Sequence, residues 1–345
     1  MTLSEGPVSP APFLRASIRV NNDLSTAQLV RLAQAAEAAG FDQIWVSHDL
    51  FLRSAPVLLG VLARETSRIQ IGSGILNPYS QHPVELAMAA ATLQEASQGR
   101  FLLGLGAGAA DFLAWAGIPR DRPLTSVRRT VAALRSLLGG GRPVDEPAVG
   151  GAWRPEGFLR FTVDPPPIYL GAMSPRMLAL AGEIADGVIA LLYPPERYRS
   201  VVAQVTSGVA RAGKQAGDLD LPACVWCSVD DDPERARKPM SEKVAYYGPS
   251  MASYQLADLG LRPSDFLPLR QALDAGDRKR VHREVTGPML SLGIVGTPDD
   301  LVARCRLLVQ AGAGHLSFGP PLGPDVVSAT ELLGHRVLPR LRSGT

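Results

Sequence analysis

Residues 83–108 read PVELAMAAATLQEASQGRFLLGLGAG, a helix that runs straight into a strand. The helical stretch Pro83–Ser97 is stopped by Gly99, and RFLLGLGAG (100–108) begins at once. Its RFLLGL core is apolar without alternation. A strand facing water on one side alternates polar and apolar residues, so an unbroken run marks a strand buried on both faces, as in a parallel sheet covered by helices.

The same unit recurs outward from this stretch. Upstream, ASIRV (16–20) precedes a helix opened by the capping box of Ser25 and Gln28, carried by Leu29, Leu32, Ala33 and Ala36, and stopped at Gly40. QIWVS (43–47), a helix near 56–66 and IQIGSGI (69–75) follow. Downstream come the strands PIYLGA (167–172), GVIALL (187–192), ACVWCSV (223–229) and GHLSFG (314–319). Strand–helix alternation at this rhythm is that of right-handed βαβ units. Eight such strands close naturally into an α/β (β/α)₈ TIM barrel, expected here as one domain over 1–345; an open doubly wound sheet is the alternative. Two segments break the rhythm and read as insertions. Residues 139–166 hold Gly-Gly-Gly, several prolines and a short FLRFTV strand. Residues 240–290 are mostly helical, with the charged run DRKRVHRE as a solvated face.

Composition bounds the function. Of 345 residues, 46% are hydrophobic and 20% charged, enough for a large core. The net charge of +2 carries no nucleic-acid footprint, and it leaves room for an anionic ligand held by local charge. Three cysteines are too few for a disulfide framework and fit a reducing cytoplasm. Cys224 and Cys227 form C-x-x-C inside a strand, where residues three apart point to opposite faces, which argues against a metal or redox pair. The N-terminus MTLSEGPVSPAPFLR lacks the pattern of a signal peptide, and no apolar run is long enough for a membrane helix, so no membrane partner is expected.

In a barrel of this kind ligands bind at the C-terminal ends of the strands. That selects Asn21–Asp23, Ser47–Asp49, Gly72–Tyr79, Gly106–Asp111, Gly171–Arg176, Tyr193–Pro195 and Gly319–Asp325. The glycines of GSGILNP (72–78) mark a plain turn or a close backbone approach to something flat. G-x-G-x-G at 104–108 is not the dinucleotide fingerprint. Ser174 as N-cap with Pro175 at the first helical position offers free N–H groups suited to phosphate, or is a simple cap. GPPLGPD (319–325) repeats that arrangement after the last strand. His48 beside Asp49 is a candidate acid–base pair or a structural hydrogen bond.

These stretches resemble the luciferase-like flavin/deazaflavin superfamily. The resemblance lies in GFDQIWVS (40–47), IGSGILNPYSQHP (71–83), LQEASQGRFLLGLGAG (93–108), PPIYLGAMSPRMLALAGEIADGVI (166–189), IVGTPDDL and HLSFGPPLGP. NPYSQHP and LAGEIADGV are similar to the F420-dependent methylene-tetrahydromethanopterin reductase branch. The resemblance implies a barrel that binds the deazaflavin coenzyme F420, with FMN as the alternative, and a non-proline cis peptide at Gly74–Ile75. It also implies coenzyme contacts from His48, Gly74, Ile75, Asn77, Ala107, Gly108, Met173, Ser174, Arg176 and Met177, acid–base roles for His48 and Asp49, and a homodimer. Three departures stand out. Members often carry Asp-His where this chain has His48-Asp49. An acidic residue commonly follows the strand-four glycines, and Ala109 stands there. An asparagine that sometimes comes next is Phe112, with Asp111 beside it.

The expected activity is hydride transfer between reduced F420 and a small organic acceptor, such as a methylene-tetrahydropterin or folate-like iminium that needs no proton. The alternatives are an FMN-dependent monooxygenase and a non-catalytic coenzyme-binding protein.

Overall fold

The computed structural model describes residues 14–343 apart from 216 and 218; the segment 1–13, most of the stretch read for a signal peptide, lies outside the described residues. Nine parallel strands form: β1 Arg15–Val20, β2 Gln43–Val46, β3 Gln70–Ser73, β4 Phe101–Gly106, β5 Ile168–Gly171, β6 Gly187–Leu191, β7 Ala223–Val229, β8 Ile294–Gly296 and β9 His315–Leu322. Each of β1 to β7 pairs with the next, β7 pairs with β9, and β9 pairs back to β1, so eight strands close a ring. That closure excludes the open sheet. β8, too short for a periodicity signal, pairs only with the end of β7.

The helices form where the sequence marks them. Ser25 Oγ accepts from the Gln28 amide at 3.3 Å, while Gln28 Oε1 accepts from the Ser25 amide at 3.0 Å. Helix Thr26–Ala38 then buries Leu29, Leu32, Ala33 and Ala36 against the ring. The insertions differ from expectation. FLRFTV (158–163) forms no strand: a closed ring has no free edge to pair it, and Phe158 instead lies under the guanidinium groups of Arg142 and Arg160. The second insertion has no clean start at 240, because helix Pro233–Tyr247 runs through that point from its Asp232 cap. With the short helices after it, this segment builds its own apolar cluster around Met240, Val244, Phe266 and Leu269. The charged run does sit on an outward helix, Arg278–Glu284, with only Val281 buried.

Inside the ring, Trp45 and Tyr169 meet edge-on at 4.9 Å. Gly72 makes that possible, since a Cβ there would stand 2.3 Å from the Trp45 ring. Cys224 packs in this inner layer, whereas Cys227 packs with the outer core between strands and helices, so the two do point apart. At the N-terminal end of the ring, Asp220 gathers a buried polar cluster. Its carboxylate accepts from the Tyr169 hydroxyl at 2.8 Å, lies 3.1 Å from His315 Nδ1 and pairs with Arg15, while His315 Nε2 lies 3.0 Å from Ser17 Oγ. Among the described residues no helix is long and apolar enough to cross a membrane.

Candidate active site

A cavity of about 680 Å³ opens at the C-terminal ends of the strands. Each of the seven stretches selected from the sequence contributes at least one wall residue. His48, Asp49, Gly74, Ile75, Asn77, Ala107, Gly108, Met173, Ser174, Arg176 and Met177 all line it.

One wall is built by the ends of β3, β4 and β5. The Gly74–Ile75 peptide is cis, as the resemblance implies. The Ile75 side chain sits in a slot between two glycines: a Cβ would come within 2.9 Å of it at Gly171 and 3.1 Å at Gly106. Asn77 Oδ1 accepts from the amides of Tyr79 and Ser80 at 3.0 and 2.9 Å, which closes a turn and leaves the Asn77 side-chain nitrogen without a hydrogen bond among the described residues. Next to it, Gly108 has φ +67, in the left-handed region open to glycine. Ser174 caps helix Pro175–Ile184 through the Met177 amide at 3.4 Å, so this helix presents its positive end and Arg176 to the cavity. The GPPLGPD segment behaves differently. β9 runs on to Leu322, only Pro320 of the segment reaches the cavity, and the Asp325 carboxylate already accepts from the Ser328 amide at 2.8 Å. That helix end already carries the carboxylate of its own N-cap residue.

At the mouth of β2, buried Asn22 holds the loop by donating to the carbonyls of Asp49 at 3.0 Å and Arg53 at 2.6 Å. The Ala55 amide donates to His48 Nδ1 at 3.2 Å. An acceptor at Nδ1 places the proton of the neutral ring on Nε2. Burial lowers the His48 pKa, with the charge of Asp49 opposing in part, so the ring is held in this neutral, Nε2–H form. Asp49 moves the opposite way. Burial raises its pKa, and the Ser47 hydroxyl at 3.3 Å with the charges of Lys243 and His48 pulls it back only in part. Among the described residues Asp49 is the one carboxylate lining the cavity; Ala109 lines it without a polar group, and Asp111 does not reach it.

Of the facing wall only Tyr193, from the selected stretch Tyr193–Pro195, was foreseen. Arg19, Trp226, Lys243 and Tyr247 line it as well. Arg19 had one signal, a charge near the C-terminal end of a largely buried strand. Lys243 had none, because its place depends on how helix Pro233–Tyr247 crosses the end of β7. Arg120, also unforeseen, steadies the β4 loop by donating to the Ala107 carbonyl at 2.9 Å.

Comparison with known proteins fits this architecture. The family model for luciferase-like monooxygenase matches residues 12–315. A 5,10-methylenetetrahydromethanopterin reductase of Methanolobus tindarius is 32% identical, the match covering 90% of this chain and 95% of that protein. An F420-dependent glucose-6-phosphate dehydrogenase of Nakamurella multipartita is 30% identical, over 92% and 93%. Among solved structures, the coenzyme F420 dependent tetrahydromethanopterin reductase of Methanopyrus kandleri superposes with a TM-score of 0.88 at 27% identity, covering 95% of this chain and 99% of its own. With its closed ring, its cavity at the strand ends and these relatives, the chain is an oxidoreductase that belongs to the luciferase-like monooxygenase family.

Proposed function

We propose that the protein binds coenzyme F420 in this cavity and transfers a hydride between it and a small organic acceptor. The observation that carries the reading is the β3–β5 wall: Gly74, Ile75, Ala107 and Gly108 line the cavity together with a helix N-terminus and Arg176. A planar ring with a phosphate-bearing tail fits both features, and F420-dependent relatives at about one-third identity support the choice of ring. When bound, the deazaflavin supplies a hydride from its own carbon. The protein orients the reactants and keeps water away. In this reading His48 donates from Nε2–H to the edge of the ring, and Ser174, Arg176 and Met177 hold the phosphate. Asp49, whose carboxyl burial shifts toward the protonated form, is the proton source in this reading for an acceptor that needs one; a cationic iminium would leave it idle.

Titration of the apoprotein, followed by ultraviolet–visible spectra, tests the coenzyme. Oxidised F420 binds at least about tenfold more tightly than FMN, a difference of about 1.4 kcal/mol. Equal or tighter binding of FMN moves the protein to the monooxygenase reading. A second test concerns His48, whose Nδ1 is already committed to the Ala55 amide. His48→Ala weakens F420 binding by about 1–3 kcal/mol, the cost of leaving a buried polar partner unpaired. Unchanged affinity, measured by calorimetry, places the ring away from the β2 mouth.

A further inference from the structure

The wall facing the proposed coenzyme side carries two cations, Arg19 and Lys243, that form no ion pair among the described residues. In the eight-strand ring β3, β4 and β5 stand opposite β7, β9 and β1. On this opposite side Arg19 projects from β1, with Nε donating to Ser317 Oγ at 3.2 Å and Nη2 to the Val225 carbonyl at 2.8 Å. Its Nη1 makes no hydrogen bond among the described residues, and Arg19 forms no ion pair there. Gly319 makes room for the guanidinium, since a Cβ at that position would stand 2.3 Å from Nη2. Lys243 comes from helix Pro233–Tyr247 and lays its ammonium over two aromatic rings, 5.3 Å from the centre of Trp226 and 4.6 Å from that of Tyr247. It too has no acidic group within 4 Å among the described residues.

Burial pushes the Lys243 pKa down to about 8, and the charge of Arg19 pushes the same way. Asp49 from the β2 mouth and Asp23 from the β1 mouth oppose the shift without cancelling it. Two cations held near each other in a half-buried pocket repel and lose hydration. An anion between them removes both costs. Tyr193 and Trp226 meet at 4.4 Å with their rings tilted by 54° beside the pair, and Tyr247 lies 5.6 Å from Trp226. The pocket therefore has a cationic end and an aromatic wall.

We propose that Arg19 and Lys243 form a subsite for the anionic group, carboxylate or phosphate, of a substrate whose body lies against Trp226 and Tyr247. As a substrate site it rests on the hydride-transfer reading; as an anion site it does not. The anion is held better when Lys243 is protonated, so affinity falls as pH rises through about 8.

The test uses three small probes, benzoate, phenyl phosphate and neutral benzamide, titrated calorimetrically into protein with and without F420. One or both anions bind, and whichever is tighter names the group; benzamide binds at least about tenfold more weakly. Lys243→Met reduces anion affinity about tenfold or more, Lys243→Arg retains it, and affinity in the wild type drops between pH 7 and pH 9, on either side of a pKa of about 8. Arg19→Gln gives a similar loss; should that variant fail to fold, the Lys243 pair carries the test. Equal binding of benzamide and benzoate overturns the proposal, as does anion binding that survives Lys243→Met but is lost in Ser174→Leu, which would put the anion at the helix N-terminus. Failure of F420 to bind, with these anion results intact, overturns the coenzyme reading and leaves the subsite standing.

Discussion

Asp49→Asn lowers the single-turnover rate with a neutral acceptor by about 10²–10⁴-fold, the typical contribution of a positioned acid, and leaves F420 affinity nearly unchanged. Asp49 is the one carboxylate lining the cavity among the described residues, and its burial favours the protonated form that a proton donor needs. Asparagine keeps the shape and the acceptor for the Ser47 hydroxyl but has no acidic proton. The pH profile adds a sign. A carboxyl that works protonated loses its activity as pH rises through its pKa, and because that pKa is raised, the falling limb lies above the ordinary carboxylate value of 3.8. In the Asn variant that limb is absent. A wild-type rate that Asp49→Asn leaves unaltered, at every pH and with a neutral acceptor, removes Asp49 from proton transfer. With a cationic iminium as acceptor the two proteins turn over alike, so comparing acceptors separates the two chemistries. On the proposed reading the reversed His48-Asp49 order divides the roles, His48 toward the ring and Asp49 toward the acid role that Ala109 cannot fill.

Asp220→Asn destabilises the fold by about 3–5 kcal/mol, the usual cost of removing one partner from a buried charged cluster. Burial by itself would raise the Asp220 pKa, yet His315, Arg15 and Tyr169 outweigh it and hold the carboxyl below the ordinary range. Such a group is charged in the native state at a pH where the unfolded chain already binds a proton. Its contribution is complete above the unfolded pKa and is lost as pH falls through the native one. Chemical denaturation of both proteins from neutral to acid pH reads this directly: the gap between them is widest near neutrality and narrows on acidification. A gap under about 1 kcal/mol at neutral pH would mean that Tyr169, His315 and Ser17 satisfy one another without the carboxylate. The cluster lies at the end of the ring away from the cavity, so F420 affinity of the folded variant stays at the wild-type value.

Most of the fold could be read from local sequence, for a physical reason. The eight strands β1 to β7 and β9 are apolar runs bounded by glycine, proline or caps, and burial on both faces leaves that mark on each strand independently. The capping box at Ser25 and Gln28 and the Ser174 cap are likewise decided within a few residues. The wall built by β3, β4 and β5 was legible too, because its glycines, Asn77 and the helix N-terminus act through backbone geometry that short motifs specify. Three other features were not. FLRFTV has the composition of a strand, but a strand needs an edge, and only the closure of the ring shows that none is free. GPPLGPD has the look of an anion loop, but the helix end already carries the Asp325 carboxylate. The cationic wall depends on contacts between distant segments: Arg19 meets Val225 and Ser317, and Lys243 reaches Trp226 from a helix after β7. The sequence by itself determined the barrel and the positions along its rim. The tertiary structure decided what faces what across the mouth, because charge and burial at a point in space are sums over residues that no local pattern brings together.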